Sequence, residues 1–189
     1  NMLGAIVVGT GDLSEIALGW CTFIGDHASH YHVNASIPKT LVQYIVAWVA
    51  DQKDFSRARA VLLDIIDTPI SPELKKGKAG KITQKTEDLV GPYELHDFFL
   101  YHFMRWGSRP RKIATLAEIA FGGRYTKAEI EKWLRVFMTR FFGYQWKRSM
   151  SPDAPKVGSI SLSPRGDWRM PSDAEVSLWL QDFDIKLAA

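Results

Sequence analysis

Residues 4–23, GAIVVGTGDLSEIALGWCTF, decide the fold class. The first six, GAIVVG, form a short apolar run rich in β-branched residues and bounded by glycines, the pattern of a strand buried on both faces of a parallel sheet. Thr10 and Gly11 turn the chain. A helix is predicted from about Leu13 to Phe23, with Leu13, Ile16, Ala17 and Trp20 at i, i+3, i+4 and i+7 as its apolar face. Strand, tight turn and helix in that order place a helix N-terminus at the carboxyl end of a strand. Open α/β sheets bind ligands there, and free N–H groups face anions. Thr10 has a hydroxyl to offer a nucleotide, and Glu15 a hard carboxylate for magnesium. The same residues admit a reading without any ligand, because Asp12 followed three residues later by Glu15 is also a helix capping box.

Working outward, the rest of the chain is mostly helical. Residues 24–37 show no periodicity and read as a loop. Pro38 stands at a helix start, and 38–51 read as a largely buried helix. Further helices are predicted at Ser56–Ile66, 92–106, 111–121 and 127–142, with a short last one at Asp173–Leu180. Residues 67–91 carry prolines, glycines and the lysines Lys75, Lys76, Lys78, Lys81 and Lys85, the composition of a long mobile loop. One strand cannot make a sheet. Its partners are therefore expected in a segment outside these 189 residues. The absence of Met at position 1 supports the same expectation, a piece of a longer protein.

Composition narrows the class. With 46% hydrophobic and 24% charged residues the chain is an ordinary globular one. A formal charge of +3 is compatible with phosphate or nucleic-acid binding and demands neither. The single cysteine, Cys21, excludes an internal disulfide and zinc-finger spacing, which points to a reducing, cytoplasmic compartment. There is no signal peptide pattern and no apolar run of membrane-spanning length.

Several clusters invite chemistry. His27, His30 and His32 beside Asp26 suggest a metal, but H-x-x-H-x-H matches no structural zinc pattern. The basic run KKGKAGKITQK (75–85) lacks the Walker spacing G-x-x-x-x-G-K-[ST] and reads first as a solvated segment. Lys147-Arg148 follows the aromatics Phe141, Phe142, Tyr144 and Trp146. A lysine there suits a phosphate, or complements a helix C-terminus. Arg165 and Arg169 read as structural. Residues 109–140 read as helix, glycine turn and helix with basic flanks, so a helix-turn-helix nucleic-acid-binding module is the alternative function. A catalytically silent interaction domain is a third reading.

The chain resembles the glutamine-dependent NAD synthetases and their ammonia-dependent relatives. These carry Gly-Thr-x-x-x-x-Glu, then Gly-Asp, then a Lys thirteen residues past that Asp, and the pattern falls here on Thr10, Glu15, Asp26 and Lys39. The likeness runs on through Trp20-Cys21-Thr22-Phe23, Tyr144–Ser149 and Leu162–Asp173 (LSPRGDWRMPSD). It implies the C-terminal part of a Rossmann-like α/β domain of the adenine-nucleotide α-hydrolase type, mostly helical in this segment. Residues 1–66 would end the nucleotide-binding core, 67–91 would be the mobile loop, and 92–189 a helical C-terminal region. The implied activity is that of an ATP-dependent ligase. It converts deamido-NAD to NAD through an adenylylated nicotinate, with ammonia derived from glutamine by a glutaminase domain of the same chain. By resemblance Thr10, Lys39 and Thr68 would contact ATP. Glu15 would hold Mg2+, and with Trp20, Cys21, Thr22, Phe23, Asp26 and Lys147 it would bind deamido-NAD. The loop at 74–90 would close over the nucleotide, and the parent protein would be a homo-oligomer. The family's Ser-Gly-Gly-x-x-Ser pyrophosphatase loop and its glutaminase nucleophile do not occur in the sequence. The 189 residues alone are therefore expected to be inactive, and Cys21 reads as a packing residue rather than that nucleophile.

Overall fold

The computed structural model describes residues 2–25, 27–68 and 86–184. The described chain is an α/β piece dominated by helices. Strand β1 (Val8–Gly9) leads into helix α1 (Leu13–Leu18), then β2 (Tyr31–His32), α2 (Lys39–Ala50), a 3-10 segment (Lys53–Ala58) and α3 (Arg59–Asp67). After the gap come α4 (Thr86–Val90), α5 (Tyr93–Trp106), α6 (Pro110–Ala120), α7 (Lys127–Gly143), α8 (Gln145–Arg148) and α9 (Ser177–Gln181). Strands β1 and β2 pair in parallel, Val8 against Tyr31 and Gly9 against His32. Gly9 is required there, because a Cβ would stand 1.8 Å from the His32 ring.

The core is a bundle in which α5, α6 and α7 pack on one another and α1 lies across α5 and α7. Leu13, Ala17 and Leu18 of α1 join Phe99, Phe103, Ile113, Ala117, Ile130, Leu134, Phe137 and Phe141 in one buried cluster. The aromatic rings meet edge to face, as with Phe103 and Phe141 at 5.1 Å, the arrangement their quadrupoles favour. The C-terminal stretch closes this core with Ile160, Leu162 and the half-buried Trp168 and Trp179. Helix α7 begins with a Thr126–Glu129 capping box, which agrees with the sequence reading of its start.

Several expectations are corrected. The strand expected over residues 4–9 is a two-residue strand, and Ile6, Val7 and Val8 are 72%, 53% and 52% exposed. A parallel strand is buried only where neighbouring strands and helices cover it, and the described residues supply one neighbour. That neighbour, β2, lies inside the 24–37 region read as a loop, so one partner strand does come from this chain. Helix α1 stops at Leu18 rather than Phe23. Gly19 adopts φ 59°, and its N–H closes onto the carbonyls of Glu15 and Ile16, so Trp20–Phe23 form a loop and Cys21 is not helical. Helix α2 buries Ala50 alone, and Leu41, Tyr44, Ile45 and Trp48 are exposed. The helix predicted at 56–66 is a 3-10 turn running into α3, and the last helix is the shorter α9. Of the expected loop at 67–91, residues 86–90 form α4, whereas the basic run 75–85 lies outside the described residues. The 109–140 pair is not favoured as a DNA reader, because α7 turns Ile130, Leu134, Phe137, Met138, Phe141 and Phe142 into the centre of the bundle.

Candidate functional site

The site is built at the N-terminal end of α1, just past strand β1. Asp12 caps the helix: its carboxylate accepts the N–H of Glu15 at 2.9 Å, and Glu15 accepts the N–H of Asp12 at 3.2 Å. The ligand-free capping reading is thus realised locally. The carboxylates also do more than cap. Lys39, at the start of α2, places its ammonium 2.6 Å from Asp12 and 2.6 Å from Glu15. The two pattern residues expected to share a site, Glu15 and Lys39, are therefore in contact although they lie 24 residues apart.

A second layer fixes that contact. Asp97 of α5 accepts the Thr40 N–H at 3.0 Å, the Thr40 hydroxyl at 2.7 Å and the Ser14 hydroxyl. Ser14 accepts the Lys39 N–H at 2.8 Å. The first free N–H groups of α2, which Pro38 cannot cap, are thus satisfied by α1 and α5. The Leu13 N–H donates to the Ile37 carbonyl, which sets the angle between the two helices. Tyr93, at the start of α5, lies beneath, with the Lys39 ammonium 5.4 Å from its ring centroid.

Electrostatics follow burial. Burial first, then the Glu15 carboxylate, push Asp12 up to about 7 against the pull of Lys39. Asp97 is also raised by burial, opposed by its bonds to Ser14 and Thr40. Lys39 is held above the usual lysine value by its two carboxylates, which outweigh its own burial. Two carboxylates sharing one ammonium form an exchangeable cation position. The donor chemistry suits Mg2+, which takes one or two carboxylates and fills its other positions with water and phosphate oxygens. No group of three or more His, Cys, Asp or Glu side chains that could hold a metal by itself occurs among the described residues. The three histidines are held by backbone contacts. His27 accepts the Ile24 N–H, His30 accepts the Val7 N–H, and the His32 N–H donates to Asp153.

The other expected residues are spread. Thr10 is exposed at the turn between β1 and α1. Thr68 caps the end of α3, its hydroxyl on the Asp64 carbonyl rather than beside the Lys39 group. Asp26 lies outside the described residues. Trp20–Phe23 and Lys147 do come together at the opposite end of α1. The Lys147 ammonium donates to the carbonyls of Gly19 at 2.9 Å and Cys21 at 2.7 Å, beside the rings of Tyr144 and Trp146. Phe23 meets Trp146 edge-on at 4.8 Å. Arg140 reaches the Leu18 carbonyl, and Arg148 the carbonyls of Ile16, Ala17 and Phe141. Sequence reading missed Ser14, Tyr93, Asp97 and Arg140, and named Arg148 without its carbonyl contacts. A signal existed for two of these: Tyr93, His96, Asp97 and Leu100 fall at i, i+3, i+4 and i+7, polar groups on a face that is otherwise core. Arg165, read as structural, bonds the Ser151 carbonyl and pairs with Asp153.

The family model described as NAD synthase matches residues 1–136. A curated glutamine-dependent NAD(+) synthetase of Mycobacterium bovis is 44% identical over 204 residues, covering 97% of this chain and 30% of the relative. One of Mycobacterium leprae is 43% identical with the same coverage, and one of Rhodobacter capsulatus is 30% identical over 83% of this chain and 26% of its own length. The crystal structure of a glutamine-dependent NAD(+) synthetase from Cytophaga hutchinsonii superimposes with a TM-score of 0.73 at 19% identity, covering 96% of this chain and 27% of that one. That likeness speaks for the fold, an α/β piece of a Rossmann-like domain. The chain spans about 30% of the length of the mycobacterial relatives it matches. No helix among the described residues is long and apolar enough to cross a membrane.

Proposed function

The chain belongs to the NAD synthase family, and from that premise we propose that it forms part of a ligase making NAD from deamido-NAD, ATP and ammonia derived from glutamine. The observation that carries this reading is the Lys39 ammonium held between Asp12 and Glu15 at the start of α1. A carboxylic acid does not become an amide unaided. ATP would adenylylate the nicotinate carboxylate and release pyrophosphate, and ammonia would then displace AMP. The work left to the protein is to place and neutralise phosphates. Mg2+, bound through Glu15, would lower the charge repulsion between phosphate oxygens. Thr10, Lys39 and Thr68 would contact ATP, Lys39 leaving its carboxylates for a phosphate oxygen. Trp20–Phe23, Asp26 and Lys147 would border deamido-NAD, with Lys147 also setting the course of the 19–21 backbone. Residues 1–66, 67–91 and 92–189 would serve as end of the nucleotide core, closing loop and helical region of a cytoplasmic homo-oligomer. Residues 1–189 alone should not turn over, because the family's pyrophosphate-gripping motif lies outside them.

Glu15→Gln in the complete protein tests the reading. Gln retains the cap and Asp12 still pairs with Lys39, so stability should fall by no more than about 1 kcal/mol. Ammonia-driven NAD formation should fall by about 10- to 100-fold, partly recovered by added magnesium. Near wild-type turnover would return Glu15 to capping alone.

A further inference from the structure

We propose that Tyr93 is a ligand-binding residue of this site, its phenol hydroxyl donating to a phosphate oxygen of a nucleotide bound against Asp12, Glu15 and Lys39. The inference rests on the function proposed above and names a contact that neither the resemblance nor the comparisons assign.

Tyr93 is 2% exposed, and its hydroxyl has no hydrogen-bond partner among the described residues. A buried hydroxyl in that state is disfavoured, and such groups persist in native proteins where a function uses them. Its place is specific. Burial first, then the charges of Glu15, Asp12, Asp97 and Glu87, hold the phenol firmly protonated, so it serves as a neutral O–H group. All four carboxylates are already engaged. Asp12 and Glu15 bond each other's backbone and Lys39, Asp97 holds Ser14 and Thr40, and Glu87 accepts the Tyr93 N–H at 3.0 Å. The donor is thus surrounded by acceptors that are committed elsewhere.

An acceptor brought by a ligand must tolerate four nearby carboxylates. A bare anion does not meet that condition. A phosphate that brings a divalent cation does: the carboxylates take the cation, while Lys39 and the phenol take phosphate oxygens. The Lys39 ammonium already stands over the Tyr93 ring, which places this phenol beside the ion-paired group.

Tyr93→Phe in the complete protein removes the hydroxyl and nothing else. The melting temperature should equal or slightly exceed that of the wild type, because no bond is lost. Calorimetric affinity for MgATP should fall about tenfold if the oxygen belongs to ATP. If it belongs to the dinucleotide pyrophosphate, affinity for deamido-NAD should fall about tenfold instead, with MgATP unchanged. Either loss supports the assignment and tells the two sources apart. Both affinities within about twofold of wild type would overturn it, as would a melting temperature lowered by several degrees with binding intact. Loss of turnover in Glu15→Gln beside unchanged Tyr93→Phe removes this contact alone, whereas wild-type behaviour in both removes the function reading as well.

Discussion

At its N-terminal end helix α1 meets side chains of both signs that bond one another. At its C-terminal end it meets three cations that bond its backbone. The first end is the Asp12–Glu15–Lys39 group, with the unpaired Tyr93 hydroxyl beneath it. The second is Arg140, Lys147 and Arg148 on the carbonyls of residues 16–21. A helix of six residues leaves most of its carbonyls without intrahelical partners. Cations from α7 and α8 supply those partners and match the negative end of the helix dipole. The difference teaches where exchange is possible. Side-chain ion pairs can be traded for a ligand that brings its own charges, whereas buried carbonyls cannot lose their donors without weakening the fold. Chemistry is therefore expected at the first end and rigidity at the second, with the Trp20–Phe23 loop held by the second.

The comparison breaks most readily at Arg148, which is 1% exposed and lies against the Phe141 ring. Burial lowers its guanidinium to about 9, so the cation is retained at neutral pH by its carbonyl partners and Gln145. Arg148→Ala should cost about 3–5 kcal/mol in denaturant unfolding, because several buried acceptors are orphaned at once. A loss below about 1 kcal/mol would show that the clamp is not structural.

The other end should respond to pH rather than to truncation. The folded Asp12 carboxyl titrates near 7, well above its ordinary value of 3.8. Between those values the folded state keeps a proton that the unfolded state has lost, so this group makes stability fall as pH rises. Fully present at low pH, its contribution should decline by about 4 kcal/mol by pH 7. Asp12→Asn keeps the cap, and its unfolding free energy measured from pH 4 to pH 7 should lack that decline. A variant that retains the wild-type slope would place the titration elsewhere.

Lys147 gives the smallest effect and the sharpest distinction. It stands at the rigid end and also borders the loop proposed to meet deamido-NAD. Lys147→Ala should cost about 1 kcal/mol for its two carbonyl bonds and raise the KM for deamido-NAD while leaving that for ATP unchanged. Lys147→Arg restoring stability but not KM would separate loop-holding from ligand contact. An Ala variant that changes stability alone would assign Lys147 wholly to the clamp.

Much of this was legible in the residues. The 3.6 periodicity located α5, α6 and α7 within a residue or two, and the Asp12–Glu15 spacing marked a capped helix start. The end of α1 was also written there, in Gly19, but Trp20 and Phe23 continue the apolar period past it and obscure the stop. Burial was a different matter. GAIVVG and the 38–51 helix have the composition of core elements, yet their apolar side chains are exposed, since composition says what a segment can bury and not what covers it.

By itself the sequence determined the local elements, the family pattern on Thr10, Glu15 and Lys39, and hence the kind of chemistry expected. Those follow from forces acting within a turn or two of chain, or from residue types at set intervals. Tertiary structure alone decided that Lys39 closes on Asp12 and Glu15, that Asp97 and Ser14 hold it there, and that Lys147 bonds a backbone loop. Each of these contacts joins residues between 24 and 128 positions apart. Such contacts depend on how α1, α2, α5 and α8 pack, and packing is set by the shape of the shared core rather than by any single stretch of chain.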